Sequence, residues 1–146
     1  MINDNINVTG QLGIVVTDEH GQIKEQRVHK NLVVTAGKAW IAARMKATDA
    51  PAEMTHMAVG TNATAAADAN TALGTESARV AMSSAVAGAV VTYTASFPAG
   101  TGTAALTEAG IFNASSAGTM LCRTVFPVVN KGASDSMAVT WTVTVG

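Results

Sequence analysis

The sequence predicts an all-β fold, an antiparallel β-sandwich or partly open barrel with one short helix, in a single domain spanning residues 1–146. Two observations carry that expectation. Short apolar runs rich in Val, Thr and Ile alternate with Gly, Ser and Asn punctuation through most of the chain, which is the pattern of paired strands. One stretch alone, AGKAWIAARMKA, has helix formers at helical spacing.

Taken in order, Asn7 to Thr17 places Val8, Leu12, Ile14 and Val16 at even spacing, with Gly10 and Gly13 interrupting a first strand. The DEHG turn at Asp18 to Gly21 leads into a second strand with Ile23, Val28, Leu32 and Val34, giving a charge-rich hairpin with a solvated face. Thr35 is positioned to cap the helix, and Trp40, Ile41, Arg44 and Met45 share one side of it. Trp40 is therefore the expected aromatic plug between helix and sheet. Met54 to Gly60 reads as a short strand.

The segment Thr61 to Thr75 is dominated by small and polar residues, with Leu73 its only large apolar side chain, so it reads as a mobile surface loop that a partner could order. Its candidate contact residues are Thr61, Asn62, Asn70, Leu73 and Thr75. Arg79 to Ala87 and Ala89 to Phe97 form an expected hairpin around Gly88, with Tyr93 and Phe97 facing inward. LTEAGIFN, then TMLCRTVFPVVNKG, then DSMAVTWTVTVG complete the set, with Met137, Val139, Trp141, Val143 and Val145 on one face of the last strand. The total is seven or eight strands, and Trp40, Tyr93, Phe97 and Trp141 are the structural aromatics. A terminal strand of this kind must be paired or covered, which points to assembly.

Composition narrows the function classes. A net charge of −1 with 13% charged residues lacks the basic stripe of a nucleic-acid binder. Hydrophobic residues make up 48% but aromatics only 4%, so the core is built from thin aliphatic side chains and burial against neighbours gains weight. No apolar run is long enough to cross a membrane, and MINDNINVTG has no leader-like pattern, so synthesis and folding in cytoplasm without an anchor are expected.

Chemistry-bearing residues are sparse. Cys122, the single cysteine, sits in an apolar run and reads as an inert buried thiol. His20, His29 and His56 are spread over separate elements and give no metal-ligand spacing. Glu76 and Glu108 each follow a Thr near a strand start. They are either an acid and base pair of a glycan hydrolase or the ion-pair partners of Arg79 and Arg123, and the second reading is preferred. No cofactor motif is present.

The blocks NLVVTAGKAWIAARM, MTHMAVGT, TALGTESARV, LTEAGIFN and TMLCRTVFPVVNKGASDSMAVTWTVTV resemble, in that order, small virion proteins of tailed bacteriophages and prophages. The resemblance covers Asn31 to Gly146 and implies a non-enzymatic particle component, present in the virion after synthesis in the host cytoplasm. Its preferred form is a capsid decoration or cement protein, a trimer whose partner is the major capsid protein or a neighbouring virion protein. LTEAGIFN is also similar to a motif of tail-fibre and baseplate chains, which implies the alternative of a tail, baseplate or fibre-base component with possible receptor contact.

Overall fold

A computed structural model describes residues 5–46 and 48–146. The fold is a two-sheet antiparallel sandwich, with 53% of residues in strands and a single short helix. In chain order the elements are β1 (Val8–Thr17), β2 (Ile23–Lys30), β3 (Leu32–Val33), α1 (Thr35–Arg44), β4 (His56–Gly60), β5 (Glu76–Ala81), β6 (Ser83–Ala87), β7 (Val90–Phe97), β8 (Ala104–Phe112), β9 (Met120–Lys131) and β10 (Ser136–Val145). The first sheet runs β2-β1-β10-β7-β6 and the second β3-β9-β8-β4-β5.

Alternation dictates the first sheet. Leu12, Ile14 and Val16 of β1, Tyr93, Ala95 and Phe97 of β7, and Met137, Val139, Trp141 and Val143 of β10 point inward and are buried. The residues between them face outward. They meet Met57, Val59, Leu106, Ala109, Ile111, Phe126 and Val129 of the second sheet in one continuous core. Tyr93, Phe97 and Trp141 are core residues, as the periodicity predicts. The DEHG turn also forms: the Asp18 carboxylate accepts the backbone N–H groups of His20 and Gln22 at 2.9 Å each.

The second sheet departs from simple alternation. Leu106, Glu108, Ala109, Ile111 and Phe112 of β8 are all buried, because both of its faces are covered. A bulge between Leu106 and Glu108 re-phases the strand, so Leu106 and Ala109 both face the main core while Glu108 turns to the other side. On that far side, Val34, Ala58, Leu73, Phe112 and Met120 form a second, smaller core under the segment from Thr61 to Thr75.

Two expectations are corrected here. The stretch from Arg79 to Ala87 is not one arm of a hairpin: β5 pairs with β4 in the second sheet, the chain crosses over at Met82, and only β6 pairs with β7. The Met82 N–H donates to the Thr55 carbonyl at 2.9 Å, which fixes the crossover. Nor does Thr35 cap the helix. It is the first helical residue, Val34 holds the cap position with no side-chain bond, and the Thr35 N–H donates to the Asp68 carbonyl at 2.9 Å. A loop backbone thus replaces the hydroxyl.

Helix α1 lies against β9, and the contact is as close as a glycine allows. A Cβ built on Gly37 would fall 2.0 Å from the Leu121 carbonyl oxygen, so only glycine lets the backbones approach.

Candidate functional site

Glu108 organises the most polar region. Its carboxylate is fully buried, at 0% exposure, and accepts from Arg123 Nε at 3.0 Å and Nη2 at 2.9 Å. The same carboxylate accepts the backbone N–H groups of Thr75 (2.7 Å), Gly74 (2.9 Å) and Asn62 (3.2 Å). Burial pushes the Glu108 carboxyl up, but the bonds from Thr75, Gly74, Arg123 and Asn62 together hold it below the usual carboxylate range. Gly60 leaves the room for this: a Cβ there would stand 2.5 Å from Glu108 Oε1.

These bonds fasten the segment from Thr61 to Thr75 to the sheet. Its ends are joined by the Thr61 N–H to the Thr75 carbonyl at 3.0 Å, and Asn70 Oδ1 accepts from Arg123 Nη1 at 3.1 Å. Leu73, only 8% exposed, enters the second core. All five candidate contact residues are therefore engaged by the chain itself, Thr61 and Thr75 through their backbones alone, since both residues are otherwise exposed. The segment is not detached from the sheet: both of its ends are bonded to one buried carboxylate through the N–H groups of Asn62, Gly74 and Thr75.

Glu76 is used in the same manner. It pairs with Arg79 at 2.7 Å, and Arg79 also donates to the Ala114 and Ala117 carbonyls at 3.0 and 2.9 Å while its guanidinium lies 3.8 Å from the centre of the Phe112 ring. Both acids are ion-paired with the arginines the sequence suggests. A third polar cluster ties the sandwich together at β9 and β10: the buried Lys131 ammonium donates to the Asp135 and Pro98 carbonyls at 2.7 and 3.0 Å, and Asp135 Oδ2 accepts from Lys24 at 2.6 Å.

The opposite character appears beside α1. Val8, Trp40, Ile41, Met45, Val91, Leu121, Val143 and Val145, with Tyr93 and Arg44, enclose a cleft of about 290 Å³. Met45 is 84% exposed at its mouth. Trp40 is half-buried and shared between this cleft and an adjoining recess, rather than a sealed plug; its Nε1–H donates to the Ala52 carbonyl at 2.8 Å. Burial pushes the Tyr93 hydroxyl up to about 12, so it stays neutral at the cleft wall. Sequence reasoning did not single out this cleft. The available signal was Val91, Val143 and Val145 holding inward positions near strand ends, where the aliphatic supply exceeds what α1 covers.

Among the described residues no three His, Cys, Asp or Glu side chains come together to hold a metal, and no helix is long and apolar enough to cross a membrane. Comparison with protein-family models, curated proteins and solved structures finds no match to this chain.

Proposed function

We propose that this chain is a non-enzymatic structural protein of a tailed-phage particle, a decoration or cement protein that binds the assembled head as a trimer and braces it. The observation that supports it best is the apolar cleft between α1 and the first sheet, open at the surface where Met45 and Val145 stand exposed. Exposed apolar concavities on a small domain are docking surfaces for protein. The ordered resemblance from Asn31 to Gly146 supplies the particle context. The mechanism is linkage: contacts made only with the assembled lattice shift the equilibrium away from shell opening.

Imaging of the native particle tests the assignment. Copies seated on the head shell are expected; copies confined to the tail would overturn it and favour the baseplate or fibre-base alternative. Replacing Met45 with Glu is expected to weaken binding to purified heads without unfolding the exposed helix end.

A further inference from the structure

We propose that β6 is a self-complementary edge through which two copies of this chain join, strand to strand, about a two-fold axis at Ala85. Among the described residues, β6 ends the first sheet and pairs only with β7. All five of its residues, Ser-Ser-Ala-Val-Ala, are exposed, Val86 to 73%. It contains no charge, no proline and no bulge, three of the devices that guard strand edges.

The other edges are guarded. β2, at the far end of the same sheet, carries Lys24, Glu25, Arg27 and Lys30 and meets β1 with a register slip at Val16. β5 carries the Glu76 and Arg79 ion pair, and β3 is two residues long. Among the described residues, β6 alone is left open.

The register determines what its backbone offers. Ala87 pairs with Val90 across a two-residue turn in which Gly88 has φ of 58°. The residues flanking such a turn exchange hydrogen bonds with each other, so Ala87, Ala85 and Ser83 direct their N–H and C=O groups at β7. On the far side of β7, the Val145 N–H donates to the Ala89 carbonyl at 2.9 Å, which agrees in phase: odd residues of β7 serve β10 and even ones serve β6. Ser84 and Val86 therefore point their backbone groups away from the sheet.

An antiparallel partner must present outward groups at the same spacing. A second β6 centred on Ala85 does so, because Ser84 then faces the second copy's Val86 and the reverse, giving four N–H to carbonyl bonds with the small Ala85 pair on the axis between them. The side chains fit as well. Ser84 and Val86 pair with Tyr93 and Val91, so they stand on the core-facing side, where they line a recess of about 210 Å³ with Trp40, Met54 and Val91. The second copy's Val86 would lie beside Ser84 over that recess. A two-fold contact consumes both edges and closes, whereas an unmatched edge would propagate.

The contact does not depend on where in a particle the protein resides, and a three-fold contact elsewhere on the surface is compatible with it. Sedimentation of the full chain over a concentration series tests it, with circular dichroism as a check on folding. Wild type is expected to self-associate. Ala85→Lys and Ala85→Glu, each alone, place like charges face to face on the axis and should weaken association about fivefold or more. Mixing the two should restore it. Val86→Pro, which removes an outward N–H and spares the β7 ladder, should abolish it. A wild type that stays monomeric throughout, variants that associate as well as wild type, or a mixture that fails to recover would each overturn the proposal; the first would assign the edge to a strand from a different protein.

Discussion

Glu108 shows how one side chain can anchor both ends of a long segment, since its carboxylate takes backbone N–H groups from Asn62 at one end and from Gly74 and Thr75 at the other. Replacing it with glutamine leaves Arg123, 2% exposed, without a counter-ion and exchanges one of the two acceptor oxygens for a donor, so the Arg123 guanidinium and the N–H groups of Thr75, Gly74 and Asn62 can no longer all be served. Glu108→Gln should therefore destabilise by about 3 to 5 kcal/mol in urea titration, the cost of breaking a buried pair from one side. The pH dependence has a definite sign. A carboxyl whose folded pKa is depressed contributes its stability above the unfolded value near 4.3, and loses it as pH falls through the folded value. Asp135 acts in the same direction, held low chiefly by the Lys24 hydrogen bond and the Gly132 N–H. His29 adds an earlier loss: burial, then the Arg27 charge, lowers its pKa, and protonation below about 6.5 works against folding. Thermal midpoints should thus fall in two stages on acidification, and His29→Gln should remove the first. A single stage in the variant and wild type alike would exclude His29 from the effect. Cys122, fully buried with its thiol pushed up by burial, should react with a thiol reagent only after unfolding.

At the scale of elements, α1 is held by closeness more than by its apolar stripe. Gly37 is its one buried residue, so Gly37→Ala should displace the helix from Leu121 and destabilise despite alanine's better helix propensity. Trp40→Ala should cost about 2 kcal/mol, less than the 3 to 5 typical of a sealed aromatic, because the indole packs against the core but is only partly buried. Denaturant titration of both variants checks the order: a larger loss at Trp40 than at Gly37 would make the tryptophan the main anchor after all. These elements also show what alternation reveals and conceals. β1, β7 and β10 each have one wet and one dry face, so their inward residues were legible from period-two spacing. β8 is covered on both sides and bulged at Thr107, so spacing gave no indication that Glu108 turns outward from the main core. The split of β5 from β6 was hidden for a related reason: Met82 changes sheets without glycine or proline to mark the bend. The loop from Thr61 to Thr75 misled through composition, since its order comes from backbone donors that no side chain advertises.

For the whole molecule, the decisive feature is that the last strand is the central one. β10 lies between β1 and β7: all ten of its residues pair with β1, from Val8–Val145 to Thr17–Ser136, and eight of them pair with β7, from Met137–Phe97 to Thr144–Val90. Sequence alternation foretold that this strand is paired, but strand order depends on long-range contacts that periodicity cannot encode. Removing residues 139–146 would delete Val139, Trp141 and Val143 from the core and leave β2-β1 and β7-β6 as two separate ribbons, each marginal in water. Burial of those three side chains, at about 1.5 to 5 kcal/mol each, is comparable with the whole 5 to 15 kcal/mol that stabilises a domain of this size, and the ladders to β1 and β7 are lost with them, so the shortened chain should not fold cooperatively. Removing Gly146 alone loses only the bond from its N–H to the Asn7 carbonyl at 2.7 Å and should by contrast cost about 1 kcal/mol, leaving the transition cooperative. The two truncations are to be compared by thermal melts and amide exchange. If the long truncation kept a cooperative melt and slow exchange in β1 and β7, those strands would have to pair without β10, and the sheet order would be wrong.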